Sequence, residues 1–524
     1  MKKLVFLFLM LVALSVHAQR RVILIIADDL GTDWCGFYPD HVDTANIPHL
    51  RSLAARGIRF DNAMSNPYCS STRASIFTGK YAFRTGVGGV VGGMGGSNPL
   101  STSELSIPKA LKNYNPNIAT ANTGKWHLQV QALPNLNNPN IMGYDHYAGN
   151  FNGTLTSFYN WSKVTDGVVS TCTNYATTET ANDAITWIQA HYTQDFFLWL
   201  SFNAPHEPYH LPPAGMYSDL TLSGAAGDIN NNPKKYFKAD LEALDHEVGR
   251  MFDSLQTLNI LDSIDFIFIG DNGNAQPSAQ IADTSRAKGS LYQYGVHVPF
   301  VVAGPSVVNP GRSSDALVNL ADIFATTQEL MGNTNWQSQI PASDTCDSKS
   351  IVPIIKNQSQ SVRPWTFTEV FKTTTDSMDG KAMRNMDYKL IRFDYGGEEF
   401  YHLASDPSEL INLLLDTLSS EAATNYIYLC NQMSNLVGSS VFCTPGVSIE
   451  SISRQAESLV YPNPFNGYLH VKNPEPTASF RLTNALGQTI FQGKDLEKQN
   501  FSTLPCGVYF LKASGGQTQK LIKQ

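Results

Sequence analysis

The sequence predicts an α/β protein built on a mainly parallel central sheet. Three apolar runs, residues 21–26, 196–202 and 266–269, have the composition of strands that are buried on both faces. Helical patterns over residues 180–190 and 236–255 lie between consecutive runs, and this alternation favours parallel strands. Polar residues follow each run. Because ligands bind outside the carboxyl ends of parallel strands, a site is expected at that edge of the sheet.

The bulk composition is that of a folded protein with more than one domain. A chain of 524 residues exceeds one ordinary core, so two or three domains are expected. Its hydrophobic content of 42% and charged content of 16% are typical of globular proteins. The net charge of −8 argues against a nucleic-acid-binding surface.

The first 18 residues predict a secretory signal peptide. Lys2 and Lys3 precede an apolar run over residues 4–16, and Ala18 stands before Gln19 at the expected cleavage point. A membrane-spanning helix needs about 20 apolar residues, and this run is shorter, so no transmembrane segment is expected. The protein is therefore expected to be exported through the periplasm and to be secreted or held at the cell surface.

A cysteine motif is the most informative stretch of the chain. Cys69 stands where a helix is expected to begin, and Arg73 follows four residues later on the same helical face. The N-terminus of a helix favours thiolates and bound anions. Its geometry suits a tetrahedral oxyanion such as sulfate or phosphate.

Acidic residues are expected at the carboxyl edge of the sheet. Asp28 and Asp29 end the first predicted strand, and Asp271 and Asn272 end a later one. Their oxygen atoms are hard ligands that suit Ca²⁺ or Mg²⁺ rather than zinc. Taken alone, such pairs occur equally often as helix caps and turns.

Basic and imidazole side chains are expected near the same edge. Lys125 and His127 can face one side of an extended segment, His206 follows the second apolar run, and Lys288 lies further along the chain. A single lysine or histidine in such a place is more often structural or solvated than functional.

Taken together and in this order, these segments resemble the type I sulfatases over about residues 20–440. The resemblance rests on the aspartate pair, the cysteine motif with its Thr78-Gly79, the Gly124–Leu128 segment, the Pro205-His206 segment, the Asp271-Asn272-Gly273 turn and the Lys288 segment. Ser71 stands where the family usually carries proline or alanine, while Gln293, Tyr294 and His297 replace common Glu, Gly and Arg. The resemblance implies an alkaline-phosphatase-like α/β sandwich, with a catalytic domain at residues 19–355 and a smaller α+β subdomain at residues 356–444.

The resemblance also implies the chemistry. A maturation enzyme would oxidise Cys69 to formylglycine, and that residue would help to hold one divalent cation, Ca²⁺ in preference to Mg²⁺. The protein ligands implied for the cation are Asp28, Asp29, Cys69, Asp271 and Asn272. Arg73 would orient the hydrated aldehyde, Lys125 and Lys288 would neutralise sulfuryl oxygens, His206 with Lys288 would protonate the leaving group, and His127 would be the base that releases sulfate.

The C-terminal region predicts a separate small domain. A polar linker is expected at residues 445–457, followed at residues 458–524 by short alternating strands with Gly, Asn and Pro turns, which indicate a β-sandwich. The block resembles the sorting domain of the type IX secretion system, and that machinery is the partner it implies. A carbohydrate-binding sandwich is the alternative.

The function expected is that of a secreted sulfatase acting on sulfated carbohydrates. Two alternatives stay open: a phosphodiester or phosphonate monoester hydrolase on the same scaffold, and a non-catalytic sulfoglycan-binding protein with unmodified Cys69. The glycine-rich residues 86–96 are expected to form a flexible loop near the site rather than a phosphate cradle. Six further cysteines could pair or remain free thiols, and Cys430 with Cys443 would close the shortest loop.

Overall fold

The computed structural model describes residues 19–39, 43–93, 96–131, 136–374, 376–438, 443, 460–471, 479–484, 488–513 and 518–524. The predicted signal peptide and the predicted linker at 445–457 lie outside these residues. The chain divides into two compact units, the first at residues 1–413 and 419–443 and the second at residues 414–418 and 444–524.

The strands of the first unit are bounded as follows, within the described residues: β1 Arg21–Ala27, β2 Gly57–Met64, β3 Ala119–Gly124, β4 His146–Gly149, β5 Trp161–Thr165, β6 Val168–Cys172, β7 Phe196–Ser201, β8 Asp265–Gly270, β9 Phe300–Ala303, β10 Arg312–Asn319, β11 Thr366–Val370, β12 Gly380–Arg384, β13 Tyr388–Phe393 and β14 Glu398–His402. Its α-helices, within the same residues, are α1 Pro48–Ala55, α2 Cys69–Thr78, α3 Ala82–Thr85, α4 Ile107–Tyr114, α5 Asn138–Ile141, α6 Ala176–His191, α7 Ala226–Asn231, α8 Pro233–Thr257, α9 Gln293–Val296, α10 Asp322–Leu330, α11 Val352–Ile355 and α12 Ser420–Val437.

A large mixed sheet forms the centre of the first unit. Among the described residues its strand order is β10-β2-β9-β8-β1-β7-β3-β4-β5-β6. The central strands β8, β1, β7 and β3 all run parallel, whereas β9 and the β4-β5-β6 end include antiparallel pairs. The predicted α/β class with a mainly parallel sheet is confirmed.

Helices cover both faces of this sheet, which explains why its central strands are apolar throughout. Successive residues of a strand point to opposite faces, so Val22 and Leu24 of β1 join one core while Ile23 and Ile25 join the other. The first core includes side chains of α2, α4 and α10, and the second includes side chains of α1, α6 and α8. The order β8-β1-β7-β3 then brings four carboxyl strand ends side by side.

A smaller antiparallel sheet completes the first unit. Its strands lie in the order β11-β12-β13-β14, and α12 packs on β12 and β13. A disulfide joins Cys430 of α12 to Cys443, with a Cα–Cα distance of 5.6 Å. Cys69, Cys172, Cys346 and Cys506 are free thiols.

The second unit is a small β domain. Its described strands are β15 Val460–Tyr461, β16 His470–Val471, β17 Phe480–Asn484, β18 Thr489–Gly493, β19 Gly507–Ala513 and β20 Thr518–Lys523. The last four form an antiparallel sheet in the order β18-β17-β19-β20, around a core that includes Phe465, Leu482 and Leu511. Across the described parts of the chain, no helix has both the length and the apolar character needed to cross a membrane.

Candidate active site

Four adjacent parallel strands deliver polar side chains to one edge of the sheet. Asp271 follows β8, Asp28 follows β1, His206 follows β7, and Lys125 follows β3. The edge is therefore a meeting point of residues that lie far apart in the sequence, as expected for the crevice of an open parallel sheet.

Cys69 is the first residue of α2 and lies in this crevice. Its Sγ atom is 3.2 Å from Nδ1 of His127, and the cysteine is buried. The next residue, Ser70, donates its hydroxyl to the carbonyl of His127 at 3.0 Å and accepts the amide of Val91 at 3.0 Å. The glycine-rich segment that contains Val91 thus contacts Ser70, next to Cys69, and its predicted flexibility stays a prediction.

Arg73 joins α2 to the sheet edge. Its Nε and Nη2 atoms donate to Oδ2 of Asp271 at 3.0 and 2.8 Å, and both side chains are fully buried. Nη1 donates to the Lys125 carbonyl at 3.3 Å and to the Ser201 hydroxyl. The guanidinium therefore fixes the start of α2 against the ends of β8, β3 and β7.

Two lysines neutralise the aspartate pair. Lys125 donates to Oδ2 of Asp28, and Lys288 lies 2.6 and 2.7 Å from the two carboxylate oxygens of Asp29. Nε2 of His206 lies 3.6 Å from Asp29, while its Nδ1 donates to the Glu207 carbonyl at 2.7 Å. Each acidic side chain of the pair thus has a cationic neighbour.

The site has a donor set that fits a hard divalent cation. Single ligand atoms of Asp28, Cys69 and Asp271 lie within 4.8 Å of one another, as do those of Asp28, Asp29 and His206. Oδ1 of Asp28 and Oδ1 of Asn272 are buried oxygens with no hydrogen-bond partner. Buried polar atoms are normally satisfied, so these two oxygens fit an additional positively charged ligand of the Ca²⁺ or Mg²⁺ type.

Burial and charge set the protonation of the site. Burial raises the pKa of Asp28 to about 8 and raises the pKa of the Cys69 thiol, although Lys125 opposes both shifts. Burial also opposes ionisation of Asp29, but Lys288 and His206 overcome it and lower the Asp29 pKa to about 2.

The two histidines are neutral in this environment. Burial, followed by the charges of Lys125 and Arg73, holds the pKa of His127 well below its usual range. Burial lowers the pKa of His206 to about 3, even though Asp29 acts in the opposite direction. Burial also disfavours the Lys288 ammonium, yet Asp29 raises the Lys288 pKa above its usual value.

The residues at which the sequence departs from the sulfatase pattern have partners within the fold. The Ser71 hydroxyl donates to the Tyr68 carbonyl at 2.9 Å, inside the first turn of α2. The Gln293 amide donates to Glu409, the Tyr294 hydroxyl donates to Asp33, and His297 lies 2.9 Å from the Asp61 carbonyl. The helix that begins at Cys69 therefore accommodates Ser71.

The structure brings together in one cluster all ten residues that the sequence predicted as cation ligands or catalytic groups. Their individual roles stay predictions. Sequence reasoning missed Ser201, which binds Arg73, and Asn274, whose Oδ1 accepts the Gly31 amide at 3.0 Å and whose carbonyl accepts the Lys288 amide at 2.9 Å. Both residues are polar and lie at or shortly after the carboxyl end of a strand. That position could have indicated from the sequence that they belong to the site.

The fold and this site are those of an α/β hydrolytic enzyme with a candidate cation site at the carboxyl edge of its sheet. Comparison with known proteins shows the family to which the chain belongs. Residues 20–333 match the Sulfatase family model, residues 287–435 match the model "N-sulphoglucosamine sulphohydrolase, C-terminal", and residues 459–524 match the model "Secretion system C-terminal sorting domain". The chain belongs to the sulfatase family, whose members are sulfuric ester hydrolases, and it carries a type IX sorting domain.

Individual relatives agree with this assignment. Arylsulfatase J of Mus musculus is 26% identical over 60% of this chain, and the chain spans about half of that relative's length, 52%. Human N-acetylgalactosamine-6-sulfatase is 23% identical over 78% of this chain and 84% of its own length. The crystal structure of Ps i-CgsB in complex with k-i-k-neocarrahexaose shares the fold with a TM-score of 0.66, at 22% identity, over 83% of this chain and 97% of that one.

Proposed function

We propose that this protein is an exported sulfatase that hydrolyses sulfate esters of glycans, using a formylglycine made from Cys69. The observation that carries the proposal is the position of Cys69 at the start of α2, with His127 Nδ1 3.2 Å away and the Asp28 and Asp271 carboxylates beside it. Membership of the sulfatase family supports the same reaction class.

The Sγ atom of Cys69 stands in for an oxygen of the mature residue. A thiol in this position is a poor nucleophile, because burial raises its pKa, and sulfur is a poor ligand for a hard cation. The hydrated aldehyde would supply a hydroxyl to attack sulfur and a second hydroxyl whose deprotonation expels sulfate. Arg73 follows Cys69 by about one turn of α2 and would orient that group.

A divalent cation would be held by Asp28, Asp29, Asp271 and Asn272 together with residue 69, and we assign it as Ca²⁺ in preference to Mg²⁺. When bound, it supplies positive charge to the nucleophile and to a sulfate oxygen. The buried Oδ1 atoms of Asp28 and Asn272, which have no hydrogen-bond partner, support a cation at this position.

The chain's own residues handle charge and protons. Lys125 and Lys288 are buried or nearly buried cations at the crevice and would neutralise sulfuryl oxygens. Neutral His127 can accept a proton at Nδ1, the atom that faces residue 69. His206 with Lys288 would protonate the departing oxygen: the Lys288 ammonium would supply the proton, and neutral His206 would relay it through Nε2, because its Nδ1–H donates to the Glu207 carbonyl and Nε2 faces Asp29 and the site.

The modification is tested by mass spectrometry of the tryptic peptide that ends at Arg73. Protein from its native host, or co-expressed with a formylglycine-generating enzyme, should contain a peptide in which the cysteine has lost sulfur and two hydrogens and gained one oxygen. An intact thiol in the native protein would favour the non-catalytic sulfoglycan-binding alternative.

The reaction is tested with sulfate and phosphate esters of one alcohol. Matured wild-type protein should hydrolyse the sulfate ester faster, and Cys69→Ala should be inactive towards it. Faster turnover of a phosphate or phosphonate ester would favour the alternative hydrolase on this scaffold. The Ala variant, purified in the same way, controls for contaminating host enzymes.

Substrate and route follow from the relatives and the sorting domain. The printed names of the relatives include a sulfatase of N-acetylgalactosamine and a complex with a neocarrahexaose, which supports a sulfated carbohydrate as the substrate. The sorting domain supports secretion or surface display through the type IX machinery, after passage through the periplasm. Within this proposal, residues 19–355 form the catalytic domain, residues 356–444 its C-terminal subdomain and residues 458–524 the sorting domain.

A further inference from the structure

Glu409, in the loop that follows β14, holds both ends of the segment that carries Lys288. Arg286, two residues before Lys288, donates its guanidinium to the main-chain carbonyl of Glu409. Gln293, five residues after Lys288, donates its main-chain amide to the carboxylate of the same glutamate. Glu409 therefore bridges the two flanks of residues 286–293.

Glu409 is built into this position. It is buried, and its φ of 57° lies in the left-handed region, which non-glycine residues seldom adopt without compensating contacts. The carboxylate of Asp406 accepts the amides of Leu410 at 2.9 Å and Ile411 at 2.7 Å, which fixes the turn around Glu409.

The charge of Glu409 is matched by a buried lysine. Nζ of Lys389, on β13, lies 2.8 Å from Oε1 of Glu409, and both side chains are almost fully buried. The other carboxylate oxygen remains for the Gln293 amide. Arg286 in turn lies over the Tyr292 ring, 4.4 Å from its centroid, which stacks one flank of the segment on the other.

We propose that Glu409 is a positioning residue for Lys288, and this inference rests on the proposed function of that lysine. The Lys288 ammonium bonds Asp29, and the backbone beside it is held by bonds from the Lys288 amide to the Asn274 carbonyl at 2.9 Å and from the Gly289 amide to the Pro67 carbonyl at 3.0 Å. These main-chain bonds fix the backbone at two residues, whereas Glu409 fixes the flanks. An ammonium must be placed within a fraction of an ångström to act on a sulfuryl oxygen, because a misplacement of about 1 Å can cost about 100-fold in rate.

Hydrogen exchange of the full-length protein tests whether Glu409 holds residues 286–293, and this measurement does not depend on enzyme activity. Glu409→Ala and Arg286→Ala should both increase exchange in the peptide that covers residues 286–293, the first of them at the Gln293 amide. Glu398→Ala is the matched control, because Glu398 lies in β14, just before the loop that carries Glu409, but pairs with Arg392 and Tyr426. Unchanged protection of the segment in both test variants would overturn the inference.

A double-mutant cycle with Lys288 separates positioning from general destabilisation. In matured protein, Glu409→Ala should lower kcat/KM for a sulfate ester by about 10- to 100-fold. In a Lys288→Ala background the same change should cost less than about threefold, because the group that it positions is absent. Equal losses in the two backgrounds would show that Glu409 acts on stability alone and would overturn the inference.

The outcomes of the two proposals are distinguishable. If matured wild-type protein is inactive on every sulfate ester, the proposed function fails, while hydrogen exchange still decides whether Glu409 holds the segment. If Glu409→Ala does not fold, Arg286→Ala removes the bond from Arg286 to the Glu409 carbonyl instead, and hydrogen exchange and the double-mutant cycle are then carried out with that variant.

Discussion

Removal of the Arg73 guanidinium should destabilise the protein strongly as well as inactivate it. In Arg73→Met the Asp271 carboxylate would lose two hydrogen bonds, of 3.0 and 2.8 Å, in surroundings where both side chains are fully buried. Breaking a buried ion pair by removing one partner costs about 3–5 kcal/mol, since the other charge is left without compensation. The Lys125 carbonyl and the Ser201 hydroxyl would lose a donor as well.

Thermal unfolding measures this loss. For a large domain each kcal/mol lowers the melting temperature by about 2 °C, so Arg73→Met should melt about 6–10 °C below wild type. The scan is run in chelator, so that a bound cation cannot replace the lost positive charge. Arg59→Met is the matched control, because the Arg59–Asp61 pair has side chains that are 26 and 21% exposed, and pairs near the surface contribute about 1 kcal/mol or less.

The reasoning is refuted if Arg73→Met melts within about 2 °C of wild type, as Arg59→Met is expected to do. Arg73→Lys adds a second comparison. A lysine keeps the charge but cannot donate two nitrogens to one carboxylate oxygen, so it should recover part of the stability. If Arg73→Lys melts no higher than Arg73→Met, charge compensation at Asp271 is not the source of the loss.

Three further predictions concern the cation, the pH dependence and the disulfide. Ca²⁺ should raise the melting temperature of the wild type and Asn272→Leu should abolish that rise, whereas an equal rise in both proteins would remove Asn272 from the proposed ligand set. Burial raises the pKa of Glu369 from 4.5 to about 8, although the hydrogen bond from the Phe83 amide acts in the opposite direction. The stability that protonated Glu369 contributes to the folded protein is therefore fully present below about pH 4.5 and is lost as the pH rises to about 8. Wild type should therefore lose stability relative to Glu369→Gln over that range in urea titrations, and parallel curves would contradict this. Cys430→Ser with Cys443→Ser opens a loop of sequence separation 13 and should cost about 3 kcal/mol, whereas an unchanged urea midpoint would exclude such a contribution.

The strand-end residues show which part of the site could be predicted from sequence. Asp28 and Asp271 each follow a short apolar run, and the carboxyl ends of parallel strands necessarily share one edge. Their convergence needed only the prediction of the strands and their direction. Cys69 needed only the prediction of a helix start, and α2 begins there.

Partners set by strand order could not be predicted in this way. Arg73 reaches Ser201 because β7 lies between β1 and β3, and no local pattern states that order. The bond from Gln293 to Glu409 joins positions 116 residues apart and depends on a left-handed turn at a glutamate, for which the sequence carries no propensity signal. Long-range pairing of this kind is decided by packing, so it appears only in the structure.

The charge balance of the site explains why substrate identity must be settled by rates rather than by binding. The carboxylates of Asp29 and Asp271 face Lys288 and Arg73, and Asp28 faces Lys125, so the charges of the three acids balance those of the three cations once Asp28 is ionised, as it would be when it binds a cation. A divalent cation would leave it with an excess of about two positive charges, by simple addition of ionic charges. A sulfate monoester carries one negative charge, whereas a phosphate monoester, with a second pKa of about 6, carries nearly two at neutral pH. Electrostatics alone would then retain phosphate at least as well as sulfate. Inorganic phosphate should accordingly inhibit the enzyme, and only the paired-ester rates can assign the reaction.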